Sequence, residues 1–312
     1  MEIRRMGHSG LAVSVVGLGC NNFGRAGTAT EHQDGTTAVV EAALDAGITL
    51  FDTANSYSRG VSETQLGKAL GSRRDEAVVA TKFGMDAGPL DGPDWQDRGS
   101  RRYLIRSVEG SLRRLATDHI DLLQLHRPDP DTPIEETLAA LDSLVRAGKV
   151  RYIGHSNFAG WQIAHADHVA RQLGHERFVS AQNHYSLLNR GIEREVIPAA
   201  RHFGLGLIPY FPLASGLLTG KYSDGRAPEG SRLSQERVDA ADLDQLRRFG
   251  EFARERGVTE VQVAISWLLA QSPVASVIAG ATTPDQVRTN AAAGSWQPTA
   301  EDLAALDEIF PG

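Results

Sequence analysis

The stretch FDTANSYSRGVSETQLG, residues 51–67, joins an apolar strand to a helix through a short polar loop. The strand stops at Asp52, Tyr57 follows five residues later, and Glu63 and Gly67 then come at helical spacing. A strand, a loop and a helix in this order form the repeating part of a βαβ unit. The arrangement raises the question of why a strand should end in an acid with a tyrosine just beyond it.

The same alternation continues on both sides of this stretch. Eight apolar runs are predicted as strands, and they read VVGLG, ITLFDTA, AVVATK, IDLLQLH, VRYIGHS, FVSAQN, LGLIPY and ASVIAG. Helical patterns lie between or after them, over 35–46, 63–70, 101–115, 134–147, 159–173, 193–203, 259–271 and 284–293. Strands that alternate with helices indicate a parallel sheet. Eight such pairs predict a closed α/β fold, the (β/α)8 TIM barrel.

Further elements are predicted around this barrel. The first residues, MEIRRMGHSGLAVSVVG, indicate an N-terminal β-hairpin that turns at residues 7–10, and two extra helices are expected over 240–256 and 299–309. No linker or low-complexity segment divides the chain, so residues 1–312 are predicted to form a single domain. Two long segments, 84–100 and 211–237, follow strands and therefore lie at the carboxyl-terminal face, where barrel enzymes place their sites.

The composition restricts the partners and the location. The net charge of −7 and the absence of a long basic run argue against a nucleic-acid or membrane partner. Arg4 and Arg5 before LAVSVVGLGC resemble the start of a signal peptide, but two glycines and Ser14 weaken that pattern, and a first strand is the preferred interpretation. Cys20 is the single cysteine, so the chain forms no internal disulfide, and we expect a cytoplasmic protein.

Polar residues stand at the carboxyl ends of most predicted strands. They are Asp52, Lys82, His126, Ser156, Asn157, Gln182, Asn183 and Tyr210. Each alone has an ordinary structural explanation, such as a helix cap or a side chain that reaches water. Because parallel strands end on one face of a barrel, together they predict a ring of functional groups around its mouth.

Four residues have the chemistry of proton transfer to a carbonyl oxygen. Tyr57 can act as the acid, although the ordinary pKa of a tyrosine, about 10, is too high for efficient catalysis near neutrality. Lys82 is expected to lower that pKa, Asp52 to hold Lys82 in place, and His126 to orient the carbonyl group by a hydrogen bond. No side chain supplies hydride, so a nicotinamide cofactor is implied.

Six motifs carry a resemblance to the aldo-keto reductase superfamily over essentially the full chain. They are DTANSYSRGVSETQLGKAL, IDLLQLHRPD, GKVRYIGHSNF, AQNHYSLLNR, PYFPLASGLLTGKY and GATTPDQVRTN, and they are most similar to the bacterial branch related to potassium-channel β-subunits. The resemblance implies a catalytic tetrad of Asp52, Tyr57, Lys82 and His126. It also implies that the cofactor is bound by Cys20, Asn21, Ser156, Asn157, Gln182, Tyr210, Phe211, Pro212, Leu213, Ala214, Ser215, Lys221, Arg232, Gly280, Thr282, Gln286 and Asn290.

The resemblance leads to an enzyme that reduces an aldehyde or ketone with NADPH, with NADH as an alternative cofactor. Thr282 and Gln286 stand where other branches carry Lys and Arg toward the 2′-phosphate, so the preference for NADPH should be modest. A second hypothesis is a slow cofactor-binding redox sensor or regulatory subunit, although His126 favours the enzyme because the β-subunits carry Asn there. A third is a barrel lyase or isomerase. We predict no metal site, and the sequence makes no prediction of the substrate or the oligomeric state.

Overall fold

The described residues form ten strands, and eight of these make up one parallel sheet. The computed structural model describes residues 1–93, 97–227 and 233–312. In chain order the strands of these residues are β1 (Ile3–Arg5), β2 (Ala12–Ser14), β3 (Val16–Gly19), β4 (Leu50–Asp52), β5 (Val78–Phe83), β6 (Ile120–Leu125), β7 (Val150–Ser156), β8 (Ser180–Gln182), β9 (Gly206–Leu207) and β10 (Val277–Gly280). β1 and β2 form the predicted hairpin, and β3 to β10 form the sheet.

The sheet curls until its two ends meet. β3 pairs with β10 on one side, and the order then follows the chain from β3 to β9. At the seam, the Leu207 N–H donates to the Pro273 carbonyl oxygen at 3.0 Å, and the Ala275 N–H donates to the Leu207 carbonyl oxygen at 2.9 Å. These bonds join β9 to the chain that leads into β10. The predicted (β/α)8 barrel is therefore confirmed.

Helices cover the outside of the barrel close to the predicted positions. They are α1 (Gln33–Asp45), α2 (Val61–Leu70), α3 (Arg101–Leu115), α4 (Ile134–Arg146), α5 (Gly160–Leu173), α6 (Val196–Phe203), α7 (Gln235–Asp239), α8 (Leu243–Glu255), α9 (Glu260–Ala270), α10 (Pro284–Ala292) and α11 (Ala300–Ile309). Only the short α7 has no counterpart among the predictions. Five helices begin after a cap whose side chain accepts a backbone N–H: Ser100, Asp242, Thr259, Thr283 and Thr299.

Inward-facing positions change from apolar to polar along the barrel axis. Leu50, Ala80 and Leu122 pack inside with Met6 and other hairpin residues, which close the amino-terminal end. Two residues further along each strand, the same face carries Asp52, Lys82 and Gln124, as expected for a period of two. The larger apolar core lies between the strands and the helices. The interior thus presents its polar layer at the carboxyl-terminal mouth.

None of the helices in the described parts of the chain combines the length and the apolar character needed to span a membrane.

Candidate active site

Lys82 is the centre of the candidate active site. Its Nζ donates to Asp52 Oδ2 at 2.6 Å, to the Thr53 carbonyl oxygen at 2.9 Å and to the Tyr57 hydroxyl at 3.1 Å. Lys82 is fully buried and Asp52 almost so. Since an ammonium has three donors, all of them are used. The phenol oxygen accepts from Lys82, so the hydroxyl hydrogen of Tyr57 stays available for a hydrogen bond of its own.

Two glutamines complete the surroundings of Asp52. Gln124 and Gln182 donate their amide groups to Asp52 Oδ1, at 3.3 and 2.9 Å. The carboxylate is therefore held on both oxygens while buried, as a charged group in a protein interior requires. Gln124 was not among the predicted site residues. The signal that could have found it is its inward position on β6, two residues beyond Leu122.

A left-handed turn directly after Tyr57 leads the chain into α2. Ser58 and Arg59 have φ angles of 46° and 51°, and Gly60 follows with φ 83° before α2 begins. The Ser58 hydroxyl donates to the Phe23 carbonyl oxygen at 2.8 Å, and Thr53 and Ser62 share a hydrogen bond of 2.8 Å across the base of the loop. Asp52 therefore ends β4 beside Lys82, and the short loop that follows places Tyr57 on the same Lys82 ammonium.

Burial raises the pKa of the Tyr57 phenol above its ordinary value of 10.0, although Lys82 acts to lower it. The predicted lowering effect of Lys82 on this pKa is present, but burial outweighs it and the net shift is upward. Enclosing the phenol disfavours phenolate more strongly than the neighbouring ammonium favours it, and the charge of Asp52 adds to the rise. The phenol consequently stays protonated through the neutral pH range and can serve as a proton donor.

Lys82 keeps its charge in spite of complete burial. Burial alone would lower the pKa of the ammonium, but Asp52 and Tyr57 outweigh that effect, and the pKa is raised above 10.5. The ammonium Nζ also lies 4.8 Å from the centre of the Tyr57 ring. A permanent positive charge thus adjoins the atom from which a proton would leave.

His126 lies beside Tyr57 as a neutral imidazole. The two rings meet edge to face, with centroids 5.8 Å apart. Burial, with smaller contributions from Lys82 and Arg127, lowers the pKa of His126 to about 2. Its Nδ1 is buried without a hydrogen-bond partner among the described residues. A neutral ring can donate one hydrogen bond without competing with Tyr57 as the acid.

A buried polar network supports the Tyr57 loop from below. Arg114 on α3 donates to Glu63 at 2.7 Å and to Asp91 at 2.9 Å, while Thr81 donates to Glu63 at 2.5 Å. Asn55, within the loop, donates to Asp91 at 3.4 Å. Glu63 thus has the structural role that its helical spacing predicts.

The residues expected to hold the nicotinamide surround an aromatic ring at the mouth. One face of Tyr210 stacks on His184, with centroids 5.4 Å apart, and its hydroxyl donates to Asn157 Oδ1 at 2.9 Å. Asn157, with φ 62°, donates to the His126 carbonyl oxygen and to Ser156. A carboxamide would therefore use the remaining acceptor positions of Ser156 and Gln182. His184, behind Tyr210, was not predicted.

The chain after β9, where the pyrophosphate contacts are predicted, passes through left-handed backbone. Three successive residues, Ala214, Ser215 and Gly216, have φ angles of 47°, 59° and 105°. Two N–H groups of this turn are already used within the loop, since the Ala214 N–H donates to the Phe211 carbonyl oxygen at 2.9 Å and the Gly216 N–H to the Leu213 carbonyl oxygen at 2.8 Å. Lys221 lies beside this turn, 4.9 Å from the centre of the Tyr222 ring. The predicted contact of a diphosphate with the segment from Phe211 to Ser215, which includes Pro212 and Leu213, stays a prediction.

The predicted adenosine end lies where β10 runs into α10. Thr283 caps α10, whose N-terminus favours an anion. The backbone N–H and hydroxyl of Thr282 both donate to Gln286 Oε1, and Asn290 donates to the Gly280 carbonyl oxygen at 3.4 Å. A Cβ on Gly280 would approach Asn22 Nδ2 to 3.2 Å, so this glycine keeps the backbone accessible.

Cys20 and Arg232 are two predicted cofactor residues whose contacts with the cofactor stay predictions. Cys20 is fully buried and its thiol donates to the Leu18 carbonyl oxygen at 3.6 Å, so the thiol does not reach the mouth, whereas Asn21 lies beside Gly280. Arg232 lies outside the described residues, so its predicted contact with the cofactor stays a prediction.

Comparison with known proteins places these features in a family. The model described as the Aldo/keto reductase family matches residues 15–310. An uncharacterized oxidoreductase, YrpG, of Bacillus subtilis (strain 168) is 41% identical, over 100% of this chain and 97% of its own. L-glyceraldehyde 3-phosphate reductase of Escherichia coli (strain K12) is 35% identical, over 99% and 92%. A protein of Schizosaccharomyces pombe whose name proposes a voltage-gated potassium channel subunit beta is 38% identical, over 99% and 93%.

Proposed function

Because the chain belongs to the aldo/keto reductase family, we propose that it reduces an aldehyde or ketone to an alcohol with NADPH, and that Tyr57 is the general acid. The observation that supports this proposal most is the contact of Lys82 with both Asp52 and Tyr57. With the ammonium hydrogens used in these contacts, the Tyr57 hydroxyl hydrogen is the one available for donation to a substrate. The names of the oxidoreductase relatives agree with carbonyl reduction in general.

The chain's own residues have separate tasks in this proposal. A bound nicotinamide supplies the hydride, which no side chain can provide. Tyr57 donates its proton to the carbonyl oxygen, so that the hydride on carbon and the proton on oxygen together complete the alcohol. Lys82 stabilises the phenolate that remains, and Asp52 keeps Lys82 in position. His126, being neutral, donates a hydrogen bond that orients the carbonyl oxygen.

NADPH is the proposed cofactor because, in the described part of the predicted adenosine end, the acid of the first turn of α10 already has a partner. NAD-selective sites often place an acid on the ribose hydroxyls. The acid in the first turn of α10, Asp285, instead pairs with Arg288 at 2.6 Å and is exposed. The N-terminus of α10 and the predicted cation Arg232 both favour a 2′-phosphate.

The test is reduction of a panel of aldehydes and ketones by the purified protein, followed as loss of NADPH absorbance. Turnover with at least part of the panel is expected. Binding of NADPH without turnover of any carbonyl would refute the enzyme and favour the redox sensor, a role that the potassium-channel relative supports.

The choice of cofactor is tested by comparing kcat/KM with NADPH and NADH in the same assay. We expect a modest preference for NADPH that falls in Arg232→Ala, because this variant removes a cation from the 2′-phosphate. Equal or better efficiency with NADH in the unmodified protein would refute the preference. An unaltered preference in the variant would remove Arg232 from the argument.

A further inference from the structure

Arg127 is a positive charge at the mouth that the reaction described above does not use. It directly follows His126, where β6 ends, and it is exposed. Within residues 1–93, 97–227 and 233–312 its guanidinium has no ion pair and no side-chain hydrogen bond. An arginine presents five donors that match a carboxylate or a phosphate, so an unpaired one at a substrate entrance is suited to an anion.

The backbone around Arg127 is fixed in relation to the site. The His126 N–H donates to the Phe83 carbonyl oxygen at 2.8 Å, and the His126 carbonyl oxygen accepts from Asn157 at 2.9 Å. Pro128 follows, which restricts the backbone of Arg127 to extended conformations. The side chain therefore starts from a defined point on the rim beside the imidazole.

The charge of Arg127 acts on both sides of the mouth. It lowers the pKa of His126 on one side and opposes the rise in the pKa of Tyr210 on the other. Both rings belong to the candidate active site, so the charge of Arg127 acts within it. An anionic group attached to a carbonyl compound bound beside His126 would come within reach of this charge.

Among the described residues, the charged groups near Arg127 have partners of their own. Lys82 and Asp52 form a buried pair whose charges cancel, and His126 is neutral. Asp129, two residues beyond Arg127, is occupied by loop donors: its Oδ2 accepts from Gly99 at 2.6 Å and from Thr132 at 2.8 Å, and its Oδ1 accepts from the Asp131 N–H at 3.0 Å. These contacts use both oxygens of Asp129 and leave the Arg127 guanidinium available to an anion.

We propose that Arg127 is a specificity-determining residue, which pairs with a carboxylate or phosphate carried by the substrate close to its carbonyl group. The inference rests on the proposed carbonyl reduction. It adds the chemical class of substrate: small aldehydes or ketones with an anionic group, rather than neutral ones of similar size.

Matched pairs of compounds test this assignment. We compare para-carboxybenzaldehyde with its methyl ester for the carboxylate, and glycolaldehyde phosphate with glycolaldehyde for the phosphate. In Arg127→Met, the KM for the anionic compound that the site accepts should rise about 10- to 100-fold, because a charge-assisted hydrogen bond is lost. Its kcat, and the KM and kcat for the neutral compound, should change little. Arg127→Lys should retain part of the preference. Arg113→Met, at the opposite end of the barrel, makes the same change in charge and should leave the KM for both compounds unchanged.

Binding by calorimetry separates this inference from the proposed function. With NADP⁺ present, the alcohols that correspond to each pair are titrated into the unmodified protein and the variants. A preference for one anionic alcohol that is lost in Arg127→Met supports the assignment even if no carbonyl is turned over, a result that would refute the proposed function alone. Equal losses for anionic and neutral members, or a change confined to the KM for NADPH, would overturn the role of Arg127.

Discussion

At the scale of single residues, two opposing effects decide the protonation of the site. Burial favours the neutral phenol of Tyr57, and the adjacent Lys82 favours phenolate. Because burial is stronger in the protein alone, the tyrosine holds its proton until a substrate arrives. As the proton leaves, negative charge develops on the phenol oxygen and the positive charge of Lys82 stabilises it. Such stabilisation accelerates the reaction because it acts in the transition state.

Tyr57→Phe should remove the acid and keep the ring. We expect turnover to fall by about two to four orders of magnitude, the usual contribution of general acid catalysis, while the affinity for NADPH changes little. Steady-state kinetics and a cofactor titration on the same preparation measure both quantities. Near-normal turnover would exclude Tyr57 as the acid.

Lys82→Met should move the basic limb of the pH profile for reduction to higher pH. Reduction needs the protonated phenol, so activity falls as the pH rises through the pKa of Tyr57. Removing the ammonium removes the effect that lowers this pKa and leaves Asp52, which raises it. The measurement is kcat/KM against pH for any activity that remains. An unchanged limb with high activity would assign the titration to another group.

At the scale of elements, helix α3 supports the loop that carries Tyr57. The guanidinium of Arg114 joins Glu63 on α2 to Asp91, which precedes α3, and both acids are buried. Asp91 also accepts from Asn55 in the loop. The position of the tyrosine therefore depends on contacts between α2, α3 and the segment after β5, as well as on its own strand.

Arg114→Met should leave Glu63 and Asp91 as buried carboxylates without their cation. Removing one partner of a buried ion pair typically costs about 3–5 kcal/mol, and we expect a loss of that order in the free energy of unfolding. Urea denaturation measures it. The neighbouring Arg113 is exposed, so Arg113→Met makes the same chemical change as a control. A similar small loss in both variants would contradict the network.

The elements themselves were predictable because their signals are local. Apolar runs and helical spacing predicted the barrel strands and the long helices of the described chain to within a few residues, and α7 was missed because its five residues form less than two turns.

The site was predictable only in part. Strand ends and family motifs supplied the tetrad, whereas Gln124 and His184 act through contacts between distant strands. The net direction of the shift in the pKa of Tyr57 depends on burial of the phenol, and no local sequence pattern reports that burial.

At the scale of the whole molecule, closing the barrel buries polar groups that the unfolded chain exposes. His155 on β7 is an example outside the catalytic set. It is fully buried, stacks on Phe158 at 4.3 Å and meets Phe178 edge to face at 5.2 Å. Neither ring nitrogen has a hydrogen-bond partner among the described residues. Burial lowers the pKa of His155 to about 3, so the folded protein holds it neutral.

This burial predicts a loss of stability in acid. Below about pH 6.5, the ordinary pKa of histidine, the unfolded chain takes up a proton on His155 that the folded protein cannot accept until about pH 3. Stability should therefore fall as the pH decreases through this range, by about 1.4 kcal/mol per pH unit for this residue. His155→Phe keeps the aromatic packing and removes the proton site, so unfolding by urea should show a smaller dependence on pH. The variant should also gain stability at neutral pH, because two unpaired buried nitrogens are removed.

His165→Gln, on the exposed face of α5, is the control and should show the same dependence of unfolding on pH as the unmodified protein. A slope in His155→Phe equal to that of the unmodified protein would show that the folded barrel already accommodates the charged ring.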